Sequence, residues 1–168
     1  MPDELAQQLQ PLKDLLDKFN INRLELEGYE ADDLIGTVAR LGEENDFKVY
    51  IVTGDKDAIQ LASHKTTTLI TKKGVGEVEE YNYDSVLERY EMTPTQFIDL
   101  KGLMGDKSDN IPGVPGVGEK TGIKLLKQYS TIENLIEHTD ELKGSIKKKI
   151  EEMKKLAVKA NGLLLRYI

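Results

Sequence analysis

Cysteine and tryptophan are absent from the 168 residues, and histidine occurs only as His64 and His138. Without cysteine there is no disulfide, no thiolate zinc site and no cysteine nucleophile. Two separated histidines also exclude a histidine-rich metal site. Because aromatic residues make up only 6% of the chain, an extended platform for stacking unpaired bases is not expected.

Long apolar runs are lacking as well. No stretch approaches the roughly 20 residues of a membrane span, and the acidic start Met1–Glu4 has no apolar region of a signal peptide. Hydrophobic residues account for 39% and charged residues for 32% of the sequence, which is typical of a soluble globular protein. We therefore expect a cytoplasmic protein with no membrane partner.

Charge is divided unevenly along the chain. Residues 1–100 carry 10 Lys and Arg against 21 Asp and Glu, whereas residues 101–168 carry 13 against 9. An acidic part followed by a basic part suits a cation-binding cluster beside a segment that binds a polyanion. A chance imbalance among solvated helix faces gives the same numbers, so charge alone does not decide the function.

The spacing of apolar residues predicts an α/β portion at 1–83. Helical patterns occupy 5–19, 31–41 and a segment from 58, and strand patterns occupy 23–27, 47–53, 66–71 and 77–81. This alternation favours a mostly parallel sheet with helices on both sides.

A helical portion is predicted at 84–168, where strand patterns are absent. Asp84 is expected to cap one helix, and Thr93–Gln96 has the pattern of a capping box that leads into a helix at 97–104. The lysine-rich stretch at 143–159 is interpreted as a solvated helix face.

Three clusters of carboxylates stand out, at Glu30–Asp33, Thr53–Asp57 and Gly105–Asn110. An acid near a helix start can serve as a cap, and for any one cluster that structural role is the better interpretation. The first two clusters, however, follow predicted strands, whose carboxyl ends meet at one edge of a parallel sheet. Several carboxylates gathered there require a compensating cation.

Oxygen ligands without histidine or cysteine favour Mg²⁺ or Mn²⁺. Two such ions about 3.5–4 Å apart suit phosphodiester hydrolysis, in which one activates water and both stabilise the displacement. The sequence has no Ser–His–Asp set and no Walker-type loop. Its acid spacing therefore indicates metal-dependent phosphoryl chemistry.

The segment 111–121 sets glycines around single apolar residues and runs into a predicted helix. We expect the N–H groups of Val117 and Gly118 to be exposed and to bind phosphate, assisted by Lys120 and Thr121. The pattern resembles the hairpin of a helix-hairpin-helix element, which holds a nucleic-acid backbone without reading sequence. A tight turn between packed helices is the alternative.

Taken together, Glu30–Asp33, Thr53–Asp57 and Met104–Thr121 resemble the 5′-nuclease domains of bacterial DNA polymerases I, members of the flap endonuclease family. The likeness extends from about residue 3 to residue 155. It implies an incomplete PIN-like sheet followed by a helix-hairpin-helix region. It also implies a divalent-metal-dependent 5′-3′ exonuclease or flap endonuclease that acts on DNA in replication and repair.

The resemblance implies a role for each matching position. One metal site would use Glu30 and Asp32, and the other would use Asp55, Asp57 and Asp109; these five are the implied catalytic residues. Asp33 and Asp106 would support the metals. Duplex or flapped DNA would be held through its phosphates by Gly113, Gly116, Val117, Gly118, Lys120 and Thr121. Carbonyl groups of the hairpin would coordinate K⁺.

The likeness lacks the family's opening strand, with its metal-binding acid, and the basic arch that follows. We therefore expect an unpaired sheet edge or an exposed apolar face, and weak or absent cleavage by this chain alone. The implied partners are the missing N-terminal third and a polymerase domain.

Two other functions remain open at this point. One is a non-catalytic helix-hairpin-helix module that binds DNA and retains relic carboxylates. The other is a metal-dependent RNase of the PIN-like class, which the hairpin disfavours.

Overall fold

The computed structural model describes residues 2–72, 76–107 and 111–159. Within them, the helices are α1 (Asp3–Lys18), α2 (Ala31–Glu44), α3 (Tyr83–Tyr90), α4 (Gln96–Met104), α5 (Glu119–Tyr129), α6 (Ile132–Glu137) and α7 (Gly144–Lys159). The strands are β1 (Val49–Thr53), β2 (Thr66–Thr71) and β3 (Val78–Tyr81), and 3₁₀ helices span Lys56–Leu61 and Thr139–Glu141. None of the described helices is both long and apolar enough to cross a bilayer.

The chain divides into two compact units, Met1–Leu41 and Gly42–Ile168, and the division falls inside α2. In the first unit, α1 forms as predicted and none of its residues is buried. The predicted strand at 23–27 is wrong, because this segment has irregular backbone. Arg23 instead pairs with Asp17 at 2.8 Å and with Glu25 at 2.7 Å. Alternating apolar residues form a strand only where a second strand supplies hydrogen bonds.

The second unit contains a three-stranded sheet in the order β1–β2–β3. The strands β1 and β2 run parallel, whereas β2 and β3 run antiparallel. The predicted α/β class is confirmed, and the described sheet is mixed rather than mostly parallel. Along β1, Tyr50 and Val52 are 61% and 63% exposed, and no described strand pairs with the outer edge of β1. The expected unpaired edge is thus present.

The helices after the sheet surround their own apolar core. Its most deeply buried members come from the segment before α4, from α4 to α7 and from the loops between these helices: Met92, Leu103, Val114, Leu126, Leu135 and Ile150. The cap of α3 is Asn82 and not Asp84, because Asn82 Oδ1 accepts the Ser85 N–H at 2.9 Å and Ser85 Oγ accepts the Asn82 N–H at 2.9 Å. At α4, Gln96 Oε1 accepts the Thr93 N–H at 2.8 Å, so one of the two contacts of the predicted capping box is present. The reciprocal side-chain contact is not formed, because the Gln96 N–H is donated to the Thr93 carbonyl, and Thr95 directly before α4 makes no side-chain capping bond.

Candidate metal centre and nucleic-acid interface

The second acidic cluster forms a tight turn at the carboxyl end of β1. Asp55 caps the 3₁₀ helix that follows, and its Oδ1 accepts the N–H of Asp57 at 2.9 Å. The Asp55 N–H is donated to Thr53 Oγ1 at 3.1 Å. These local hydrogen bonds hold the turn so that Asp55 is exposed and Asp57 is half-buried.

Lys101 on α4 lies between two of the predicted metal ligands. Its ammonium group pairs with Asp57 Oδ2 and lies 3.2 Å from Asp106 Oδ2. The lysine side chain is 15% exposed, compared with 32% for Asp57 and 27% for Asp106. Carboxylates that are partly withdrawn from water need such a charge partner. A cation therefore already occupies the space that these two carboxylates share.

Lys101 is not among the site residues predicted from the sequence. Its signal was available, because Lys101 follows Leu100 and precedes Leu103 in a mostly apolar helical stretch. A lysine within an apolar stripe is seldom buried unless an acid pairs with it.

Asp106 begins a loop that is closed by main-chain hydrogen bonds. The Asp106 N–H is donated to the Ile111 carbonyl at 2.8 Å, and the Ile111 N–H to the Asp106 carbonyl at 2.7 Å. Asp109 lies outside the described residues, so its predicted role is a matter for proposal.

Two glycines allow the base of this loop to lie directly against the start of the hairpin. Gly105 and Gly113 have positive φ, at +77° and +59°. A Cβ on Gly105 would lie 2.6 Å from the Ile111 carbonyl oxygen, and one on Gly113 would overlap the main chain of Met104 and Gly105. Glycine is required at both positions for the two backbone segments to meet.

The hairpin turn lies between Val114 and Val117. The Val117 N–H is donated to the Val114 carbonyl at 2.9 Å, and Gly116 has φ +76°. The expectation of an exposed Val117 N–H is therefore wrong, since the turn itself uses that group. Both valine side chains are buried, at 1% and 5% exposure, and anchor the turn in the helical core.

The open face of the hairpin lies at Gly118, the residue before α5. Gly118 is exposed with φ −106°, and a Cβ there would meet no atom within 4 Å. Among the described residues, no acceptor is recorded for the N–H groups from 118 to 121. Lys120 is exposed and Thr121 is half-buried at the same helix start. This end of α5 is free to accept an anion.

The first acidic cluster belongs to the first compact unit. Asp33 Oδ2 accepts the Glu30 N–H at 3.0 Å, an N-terminal capping contact of α2. Glu30, Asp32 and Asp33 are all exposed. Across residues 2–72, 76–107 and 111–159, no three acidic or histidine side chains lie close enough together to hold a metal ion.

Asp99 is a second charged residue of α4, and its recorded contact is with α6. The carboxylate of Asp99 accepts the main-chain N–H of Ile132 at the start of α6. Burial raises the pKa of Asp99 to about 6, with a further contribution from the nearby Glu133, while the Ile132 N–H acts in the opposite direction. Burial between helices thus disfavours the charge of Asp99.

Comparison with known families identifies the class of protein. Residues 1–91 match the model of the 5′-3′ exonuclease N-terminal resolvase-like domain, and residues 92–164 match that of the 5′-3′ exonuclease C-terminal SAM fold. The chain belongs to the 5′-3′ exonuclease family.

The particular relatives are bacterial polymerases. DNA polymerase I of Bacillus subtilis (strain 168) is 54% identical over 163 residues, which cover 96% of this chain and 18% of that protein. DNA polymerase I of Lactococcus lactis subsp. cremoris (strain MG1363) is 53% identical over 146 residues, covering 86% and 17%. The chain therefore spans less than a fifth of the length of these relatives, and the predicted resemblance is confirmed.

Solved structures of a phage nuclease share the fold. A T5 5′-exonuclease with bound divalent metal ions (zinc) superposes with a TM-score of 0.74 at 27% identity, over 98% of this chain and 59% of that one. A bacteriophage T5 flap endonuclease in a complex with DNA and metal ions gives 0.72 at 25% identity, over 98% and 59%. The described fold is thus that of a 5′ nuclease.

Proposed function

We propose that this chain is the portion of a divalent-metal-dependent 5′-3′ exonuclease or flap endonuclease that holds duplex DNA and supplies part of the metal site. One observation carries the proposal. The loop that begins with Asp106 and the hairpin that ends at Gly118 are joined by the close approach of Gly105 and Gly113. An acid and a phosphate-binding turn on one continuous piece of backbone suit the cleavage of a bound phosphodiester.

The proposed metal ligands are the seven acids named from the sequence, on the portion 1–83 and in the loop from Asp106. Asp57 and Asp106 fit a hard cation, because they already share the Lys101 ammonium group. Mg²⁺ or Mn²⁺ bound here would activate water and offset the charge of the displacement. The T5 5′-exonuclease structure with bound divalent metal ions (zinc) supports a divalent cation, and the choice of Mg²⁺ or Mn²⁺ rests on the all-oxygen ligand set.

The proposed DNA contact lies on the portion 84–168. The N–H groups at the start of α5, with Lys120 and Thr121, would bind phosphates of duplex or flapped DNA without reading the bases. Gly113 and Gly116 would shape the hairpin, and its carbonyl groups would hold K⁺. The remaining partners are the N-terminal part of the nuclease and a polymerase domain, since the polymerase I relatives are far longer. The cytoplasm stays the predicted compartment.

Substitution of Gly118 tests the DNA contact without disturbing the fold. Aspartate and asparagine are good N-caps, and the open space and extended backbone at Gly118 accept either side chain. Gly118→Asp places a negative charge where a phosphate is proposed, so we expect at least tenfold weaker binding of a 20-base-pair duplex by fluorescence anisotropy. Gly118→Asn is the neutral control, and its affinity for the duplex should fall much less. Wild-type affinity in Gly118→Asp would reject the proposed phosphate contact of the hairpin and the start of α5, which we call the hairpin clamp.

Thermal melts test the metal site. A cation that binds only the folded chain raises its stability by RT ln(1 + [L]/Kd). We expect Mn²⁺ to raise the melting temperature relative to EDTA, and Asp57→Asn to reduce this rise. An unchanged melting temperature up to ~10 mM Mn²⁺, far above a micromolar Kd, would reject the metal site.

A non-catalytic DNA-binding module is the second candidate. It is favoured by the fact that no three acids of the described residues form a metal-binding group. Cleavage of 5′-flap, nicked duplex and single-stranded RNA substrates in Mn²⁺ separates the classes. Even weak flap-dependent cleavage, abolished in Asp57→Asn, supports the nuclease. Because weak or absent cleavage is also expected of the nuclease portion alone, the module is supported by duplex binding that is accompanied neither by cleavage nor by a Mn²⁺-induced rise in melting temperature.

A further inference from the structure

Lys149 lies on α7 and reaches the hairpin turn. A Cβ added to Gly116 would lie 3.0 Å from Lys149 Nζ. The turn and the ammonium group are therefore neighbours, although 33 positions of sequence separate them. Gly116 itself is exposed, so the ammonium group borders a surface that an external partner can approach.

The packing of α7 fixes the position of Lys149. Ile150 is fully buried in the helical core, and Ile146 and Met153 pack against the same cluster. At 100° per residue, Lys149 flanks this buried stripe, whereas Lys148 points to the opposite side of the helix. Lys149 is accordingly half-buried and Lys148 exposed.

The charge of Lys149 is not neutralised within the described part of the chain. Lys147, two residues earlier, pairs with Asp140 at 3.5 Å. For Lys149 no ion pair or hydrogen bond to a described residue is recorded. A half-buried lysine with its ammonium group held over a glycine turn, and without an acidic partner there, is placed to meet an external anion.

We infer that Lys149 binds a phosphate of duplex DNA and forms the second side of the hairpin clamp. This inference rests on the proposed function, because it assigns a further residue to the same contact. Gly116 has no side chain, so the sugar–phosphate backbone can approach the turn closely while Lys149 supplies a full positive charge beside it. The contact adds affinity for any sequence and none for a particular base.

Salt dependence of duplex binding tests the inference with a matched pair of variants. In Lys149→Ala, measured on the 168-residue chain by anisotropy from 50 to 200 mM KCl, we expect about fivefold weaker binding at 50 mM. The slope of log K against log [salt] should fall in magnitude by about 0.9, the value for one lost phosphate contact. Lys148→Ala removes the same charge from the other side of α7 and should change neither quantity. Urea unfolding establishes that both variants remain folded.

The outcomes separate this inference from the proposed function. Equal behaviour of Lys149→Ala and Lys148→Ala, with binding lost in Gly118→Asp, overturns the role of Lys149 and leaves the clamp in place. Wild-type affinity in Gly118→Asp overturns the clamp, and with it the role of Lys149 as its second side. If duplex binding is weakened in both Lys149→Ala and Gly118→Asp but not in Lys148→Ala, the result supports both the role of Lys149 and the hairpin clamp.

Discussion

The hairpin and the acidic turn lie in the same compact unit but are held in different ways. The hairpin is held by main-chain contacts: the hydrogen bond from the Val117 N–H to the Val114 carbonyl, and the close approach of Gly105 and Gly113. The acidic turn is held to α4 through charged side chains, with Lys101 between Asp57 and Asp106. One region is built from neutral backbone, whereas the other depends on charge balance.

This difference predicts different responses to change. A backbone turn fails when steric space is removed. A cluster of carboxylates responds to any change in the local cation, because each uncompensated charge carries a desolvation cost. Substitutions that alter space or charge separately can therefore test the two regions one at a time.

The largest effect is expected from Gly113→Ala. The added methyl group would overlap the main chain of Gly105 at a positive φ, so the free energy of unfolding should fall by roughly 3 kcal/mol. Urea unfolding followed by circular dichroism measures this change. The control is Gly118→Asn, at a position with open space, and its free energy of unfolding should not fall. Equal stabilities for the two variants would contradict a backbone-held hairpin.

A smaller effect is expected from Lys101→Met. Without the ammonium group, Asp57 and Asp106 repel each other, so stability in EDTA should fall by roughly 2 kcal/mol. Added Mn²⁺ should then raise the melting temperature more in the variant than in the wild type, since the ion no longer competes with lysine. The control is Lys107→Met, which removes an exposed charge next to Asp106. An identical Mn²⁺ response in all three proteins would show that Lys101 does not occupy a cation site.

The smallest effect concerns α4, the helix that contacts both regions. The pKa of Asp99 is raised to about 6, so stability present below pH 4 is lost as the pH rises through 6. Asp99→Asn should therefore stabilise the chain by about 1 kcal/mol at pH 7.5, allowing for solvent screening, and by almost nothing at pH 4.

Urea unfolding at the two pH values measures this difference for Asp99→Asn. Asp84→Asn, at an exposed position in the first turn of α3, is the control and should show no gain at pH 7.5. A gain for Asp99→Asn of the same size at both pH values would mean that the carboxylate charge is not its source.

Features that depend on neighbouring residues in the sequence were predicted correctly, whereas features that depend on distant residues were missed or wrong. The hairpin was predicted because glycine permits positive φ and proline fixes φ, and both effects are local to the residue. The strands 66–71 and 77–81 were predicted within one residue. The strand at 23–27 was wrong because pairing depends on a distant partner. Lys101 and Lys149 were missed as site residues because their neighbours lie far away in sequence.

By itself, the sequence determined the α/β class, the glycine hairpin and the presence of three acidic clusters, because residue type and spacing control backbone conformation and local charge. Only the tertiary structure decided which charges meet. Packing of α4 brings Lys101 to Asp57 and Asp106, and packing of α7 brings Lys149 to Gly116. Such meetings depend on how helices pack, which side-chain identity at any one position does not specify.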